Sequence, residues 1–344
     1  MRVLLITELY PSGPSDGPTV ISHALRNVFR EWVFSESVSV EVVIPRVFGL
    51  GRFLKELPPR VTTNQIDGIT VVSFRLFKIP IWNKVVTYRR VLRYLATKKG
   101  AVDVLVSHMP HGNKLGSVMR NILDVPLVMG IHQSDLEHMS EDSSIYVRAD
   151  GLVWRSPSMR RLGREYVTPE LEITAVSGVD PRWIRGSGRS NFPSDLRFLT
   201  VARLHPLKNI DVTIRALASI PSRHIWRYTI IGNGPEFQRL KQLAVSLGVD
   251  DRIEIKGELP HEECMVQMDN ADVFVMVSAP ETFGLVYVEA MSRGMIIIGA
   301  RGWGIDGVAK QEEEALFCLA RDEDDLREKI TSLWHRDLAA MSTK

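Results

Sequence analysis

Short apolar runs, mostly unbroken by polar residues, alternate with amphipathic stretches from one end of this chain to the other. The runs fall at Val3–Thr7, Val38–Ile44, Ile69–Phe74, Val102–Ser107, Val125–Ile131, Gly151–Trp154 and Ile173–Val176. Further on they recur at Arg197–Ala202, Arg227–Ile231, Arg252–Lys256, Val273–Val277 and Met295–Gly299. Continuous apolar strands belong to parallel sheets covered on both faces. Helical patterns at Thr19–Trp32, Asn209–Ile220, Glu236–Leu247 and Leu285–Arg293 lie between them. Strand, helix, strand in succession implies βαβ units and doubly wound sheets. At 344 residues the chain exceeds one core, since single cores rarely grow past about 250 residues. Residues 180–195 are rich in Gly, Pro and Ser and lack an apolar period, so they read as a linker. The expected fold is α/β, with Rossmann-like domains over 1–179 and 180–344 facing each other across a cleft. In such sheets ligands bind beyond the carboxyl ends of the strands.

Composition narrows the partners by exclusion. The 43 basic and 41 acidic side chains leave a net charge of +2, which gives no nucleic-acid footprint. The charge is unevenly spread: residues 1–179 hold 22 basic and 17 acidic side chains, and residues 180–344 hold 21 and 24. Cys264 and Cys318 form neither a disulfide framework nor a CxxC metal site. They read as buried thiols of a reducing compartment. No apolar run approaches the ~20 residues that cross a bilayer. Met1–Ile6 reads as a first strand rather than a signal peptide. The expected setting is cytoplasmic.

The segment from Val277 to Met291 carries the most chemistry. A strand ends near Val277, a turn follows, and a helix starts near Gly284. A helix amino terminus offers unpaired N–H groups and partial positive charge, and a glycine there lets an anion approach the backbone. Glu289 sits among apolar neighbours inside that helix and needs a partner, which the two hydroxyls of a ribose would supply. Glu281 precedes the helix, where its carboxylate can meet sugar hydroxyls. Read alone, both glutamates could equally complement the helix dipole. Upstream, Arg203 stands at a strand's carboxyl end and Lys208 just before a helix. Two cations there can neutralise a diphosphate, although a pair in isolation is more often a solvated loop. The turn Gly232-Asn233-Gly234-Pro235 lacks the third glycine of a dinucleotide fingerprint, Phe237 standing in its place.

Taken together, Glu281…Glu289 at E-x7-E spacing, Arg203…Lys208, the Gly232 turn and Gly178-Val179-Asp180 resemble the retaining glycosyltransferases of family 4, which have the GT-B architecture. The resemblance covers nearly the whole chain. It implies transfer of a sugar from a UDP- or GDP-linked donor, with retained anomeric configuration, to a glycan or lipid-linked acceptor, as in surface polysaccharide synthesis. It implies an acceptor-side first domain and a nucleotide-sugar-binding second domain, no metal and no cofactor beyond the donor. Glu281 would contact the donor sugar with Thr282 and Phe283 beside it, and Glu289 the ribose. The Gly284 and Leu285 amides, with Arg203 and Lys208, would bind the diphosphate. The base would lie near Lys256, Gly257 and Leu259. In the first domain, Gly17 matches one of the glycines of a donor-contacting loop, while Pro18 replaces the next and has no N–H to give. His132 would stand at the edge of the reaction centre, its Asp at His-x-x-Asp spacing rather than adjacent. The resemblance also implies a closing helix that returns to the first domain, where this chain shows only Leu326–Trp334 and a short tail.

Two other classes share this architecture: a sugar-nucleotide epimerase and a non-catalytic nucleotide-sugar-binding relative. Asp322-Glu323-Asp324 opens a helix pattern and reads as dipole complementation rather than a metal site. His132…Glu137-His138 lacks zinc spacing, and no G-x-S-x-G elbow occurs. Between Gly68 and Val102 there is no acidic residue, while Arg75, Lys78, Lys84, Arg89, Arg90, Arg93, Lys98 and Lys99 are all basic. Trp82, Val85, Tyr88, Leu92 and Leu95 add an apolar stripe at helical spacing. That stripe is suited either to an anionic membrane surface or to packing on the sheet.

Overall fold

The computed structural model describes residues 1–11, 33, 38–48, 61–77, 84–179, 181, 184–185 and 188–342. The helix expected over Thr19–Trp32 lies outside these residues, as do Gly17 and five residues of the linker. The chain divides into two compact units: Met1–Arg155 with Arg160–Ala175, and Ser156–Met159 with Val176–Lys344.

The first unit is built on an eight-stranded sheet of β1 (Arg2–Ile6), β2 (Ser39–Phe48), β3 (Val61–Ile66), β4 (Ile69–Phe77), β5 (Val104–His108), β6 (Leu127–Ile131), β7 (Gly151–Trp154) and β8 (Glu172–Thr174). Their order is β3-β4-β2-β1-β5-β6-β7-β8, with β3 antiparallel to β4 and the other neighbours parallel. Helices α1 (Lys84–Ala96), α2 (Met109–Leu123), α3 (Gln133–Glu141) and α4 (Pro157–Gly163) accompany the sheet. β3 is absent from the sequence expectation because Val61–Ile66 is polar and half-exposed at the sheet edge. Its hairpin turn is Asp67-Gly68, both with positive φ, the two-residue geometry that favours that dipeptide.

In α1, Val91 and Leu95 are fully buried, and the Tyr94 hydroxyl and Lys98 ammonium both reach Glu41. Leu95 of the apolar stripe is therefore core, and the Tyr88 hydroxyl is hydrogen-bonded to His111 Nδ1 at 2.8 Å. Arg89, Arg90 and Arg93 remain exposed. The side chains of Trp82 and Val85 lie outside the description.

The second unit is a six-stranded parallel sheet of β9 (Leu196–Val201), β10 (Trp226–Ile231), β11 (Ile253–Gly257), β12 (Val273–Met276), β13 (Ile296–Ala300) and β14 (Ala315–Cys318), ordered β11-β10-β9-β12-β13-β14. Helices α5 (Ile210–Ala218), α6 (Phe237–Ser246), α7 (His261–Asn270), α8 (Leu285–Ser292), α9 (Glu323–Ser332) and α10 (Leu338–Ser342) follow the strands. Its strands are apolar on both faces. Phe198, Val273, Val275, Ile296 and Ile298 pack in one cluster, while Leu199, Phe274, Met276 and Ile297 pack in the other. Each such side chain, fully buried, contributes about 1.5–3 kcal/mol, which explains runs too apolar to alternate. Cys264 and Cys318 are free and buried. No helix among the described residues is long and apolar enough to cross a membrane.

Candidate active site

The carboxyl ends of β9, β10, β11 and β12 gather the sequence-derived residues of the second unit. β9 leads to Arg203, which is exposed, and then to a single 3-10 turn, Pro206–Lys208. Asn209 follows with φ +49. Its buried amide donates to the Val277 carbonyl at 2.7 Å, and the Ala279 N–H donates to the Leu207 carbonyl at 3.1 Å. These two ties bring the loop after β9 against the loop after β12. Across that seam the Lys208 Nζ sits 2.6 Å from Glu281 Oε2, and the Ser278 hydroxyl donates to the same oxygen at 2.9 Å. The Glu281 side chain is 13% exposed. A carboxylate this sheltered is costly without partners, and a cation plus a hydroxyl provide them.

Gly284 is the N-cap of α8, at φ +74. A Cβ there would come within 2.5 Å of the Tyr287 ring, so the left-handed geometry and the crowding both require glycine. The Tyr287 N–H donates to the Gly284 carbonyl at 2.9 Å; the N–H groups before it have no acceptor within the helix, and a Cβ on Gly284 would lie 3.5 Å from the Glu281 side chain. Thr282 and Leu285 are half-buried, whereas Phe283 is buried in the core. Glu289 lies one turn into α8. Burial holds its carboxyl above the ordinary carboxylate range, opposed by His261, whose Nε2 stands 3.5 Å from Oε1.

The turn after β10 is pressed against the loop after β9. Gly232 has φ +136, and a Cβ there would overlap the Ala202 carbonyl oxygen. The Gly232 N–H donates to the Gly257 carbonyl at 2.7 Å, which stitches this turn to the segment Lys256, Gly257 and Leu259. Lys256 pairs with Glu254 at 3.2 Å, and Leu259 packs on the core around Phe274.

His132 belongs to the other unit. It is the N-cap of α3, and its backbone N–H donates to Asp135 Oδ2 at 2.9 Å. The His-x-x-Asp spacing therefore places Asp135 at the third helical position, where it caps. Asp135 also accepts from Asn113 at 2.8 Å and from the Tyr146 hydroxyl at 3.0 Å, and burial pushes its carboxyl up to about 6. His132 Nε2 lies 3.1 Å from His108 Nδ1. Burial lowers both imidazoles, His132 to about 3. Both are neutral at pH 7, one donating and one accepting.

Sequence reasoning missed His108, Glu8, Asn209 and Ser278. His108 ends β5 beside β6, and a Cβ on Gly130 would overlap its ring. Glu8 follows β1; its Oε1 is buried with no hydrogen-bond partner among the described residues, and burial with the Asp135 charge pushes the carboxyl up to about 7. Nothing in spacing alone marks these four, because strand order within each sheet, not distance along the chain, gives each its neighbours. Asp322 caps α9, its carboxylate accepting from the Asp325 N–H at 3.0 Å. Among the described residues no three His, Cys, Asp or Glu side chains gather as a metal site requires.

Residues 188–343 match the family model described as "Glycosyl transferases group 1". The chain is similar to N-acetyl-alpha-D-glucosaminyl L-malate synthase of Bacillus anthracis, with 22% identity over 303 residues, 83% of this chain and 77% of that protein. In structure it is similar to Anabaena Alr3699/HepE in complex with UDP, with a TM-score of 0.75 at 17% identity, over 99% of this chain and 92% of the other. It is likewise similar to sucrose-phosphate synthase from Thermosynechococcus elongatus, with a TM-score of 0.75 at 18% identity over the same shares. The fold is therefore GT-B, with two Rossmann-like domains, and the family match lies within the second of them.

Proposed function

We propose that this chain is a retaining, metal-independent glycosyltransferase that takes its sugar from a nucleoside diphosphate. The observation that carries this reading is the Glu281 carboxylate, held by Lys208 and Ser278 beside the glycine-capped start of α8. That turn presents an acceptor for sugar hydroxyls next to backbone donors for a diphosphate. The family match over residues 188–343 and the UDP bound in a structural neighbour support the same reading.

In this mechanism the amides of Gly284 and Leu285, with Arg203 and Lys208, stabilise charge on the departing diphosphate, which is electrostatic catalysis. Lys208 starts paired with Glu281 and is shared with the phosphate once the donor arrives. Glu281 holds the donor sugar and Glu289 accepts the ribose diol. The base lies along Lys256, Gly257 and Leu259. The bond from the anomeric carbon to the diphosphate oxygen breaks on the face where the acceptor oxygen attacks. The acceptor's proton passes to the departing phosphate oxygen. His132, in the acceptor-side domain, positions the reacting hydroxyl, and Gly17 contacts the donor.

The acceptor is a glycan or a lipid-linked glycan of a surface polysaccharide pathway on the cytoplasmic side. The exposed face of Arg89, Arg90 and Arg93 suits electrostatic contact with anionic lipid, worth roughly 1 kcal/mol per cation. Glu281→Ala is the test. Transfer from the cognate donor is expected to fall at least a hundredfold with the fold intact. Full turnover in that variant would remove the assignment.

A further inference from the structure

Ser156, Pro157 and Ser158 come directly after β7, the seventh strand of the first sheet, yet residues 156–159 pack within the second unit. The Ser156 hydroxyl donates to the Thr282 carbonyl at 2.7 Å, and Ser158 Oγ lies 3.2 Å from the Gly304 carbonyl. Both serines are fully buried. Their oxygens are 3.0 Å apart, and Ser156 Oγ also accepts the Met159 N–H at 3.2 Å. Each hydroxyl has one proton to give. The shorter contact commits the Ser156 proton to Thr282, so the Ser158 proton is divided between Ser156 and Gly304. Gly304 in turn gives its N–H to the Glu281 carbonyl at 3.2 Å. The carbonyls of two successive residues, Glu281 and Thr282, are thus held from outside their own turn. The Glu281 side chain is fixed separately by Lys208 and Ser278.

We propose that Ser156 is a positioning residue for the Glu281–Gly284 turn, with Ser158 in support, so that the nucleotide site is completed by a segment that precedes the second half of the chain. The inference rests on the reading of that turn as the donor site. Without the Ser156 hydroxyl the Thr282 carbonyl loses the hydrogen bond that ties it to residues 156–159. The turn then relaxes, and the Glu281 carboxylate loses its alignment with the first amides of α8.

The experiment compares Ser156→Ala and Ser158→Ala with the wild-type full chain. Hydrogen exchange is read at residues 281–286, affinity is titrated with UDP and GDP, and thermal melts are recorded alongside. In Ser156→Ala, faster exchange confined to 281–286 is expected, with nucleotide Kd raised roughly three- to tenfold and Tm nearly unchanged. Ser158→Ala is expected to show a smaller effect on both. Wild-type exchange at 281–286 in Ser156→Ala overturns the proposal, as does a uniform rise in exchange across both units with a lowered Tm. Faster local exchange with unaltered nucleotide affinity also overturns it. If the wild type itself binds neither nucleotide, the donor reading fails, while the exchange comparison still decides what Ser156 does.

Discussion

Glu281 and Glu8 are carboxylates delivered by strand ends, one in each unit, and their surroundings set them opposite tasks. Glu281 has a cation and a hydroxyl on one oxygen. Glu8 has a buried oxygen with no partner among the described residues and is pushed up to about 7. In the fold Glu8 holds its proton to higher pH than in the unfolded chain. Its carboxyl therefore costs nothing in acid, and the penalty grows as pH rises through 7. Glu8→Gln removes that penalty. At pH 8 the variant is expected to be more stable than wild type by roughly 1–3 kcal/mol, and at pH 4 equally stable, as measured by paired thermal melts. A pH-independent difference would contradict the burial argument. The neutral His108–His132 pair has the opposite sign. The unfolded chain takes up protons there below about 6.5 while the folded one does not, so the pair destabilises the fold on acidification toward pH 3.

At the level of elements, what the sequence made legible follows from physics that is local. Parallel strands sealed on both faces leave continuous apolar runs, so twelve of the fourteen strands described were readable from Val3 to Gly299, as was the start of α8 at Gly284. Two kinds of strand were not. Ala315–Cys318 is four residues long and follows three glutamates, too short to stand out. Val61–Ile66 is a polar edge strand whose only signal was the Asp67-Gly68 turn. E-x7-E spacing singled out Glu281 and Glu289, which the structure places on one turn and the helix that follows it. Asn209, Ser278, His108 and Ser156 were invisible because long-range packing alone brings them to their partners. Gly232 tests the tightest of these junctions. A methyl there would both demand φ +136 of an alanine and overlap Ala202. Gly232→Ala is expected to cost about 3 kcal/mol or more, read as a lower denaturation midpoint. A change below ~0.5 kcal/mol would show that the turn can yield.

For the whole molecule, the division of labour is chemical. The second unit concentrates cations, helix amides and paired glutamates at the carboxyl rim of one parallel sheet. The first unit offers at its own rim a neutral imidazole pair and a carboxyl that burial pushes up to about 7. On the proposed reading the former takes the diphosphate and the latter orients hydroxyl groups without charging them. The proposed function turns on where the phosphates bind. A crystal structure of the full chain soaked with UDP or GDP measures this directly. The expected result is a diphosphate within hydrogen-bond distance of the Gly284 and Leu285 amides and of Arg203, with Lys208 turned from Glu281 toward a phosphate oxygen. A diphosphate seated on any other surface, with the Lys208–Glu281 pair undisturbed, would contradict the account.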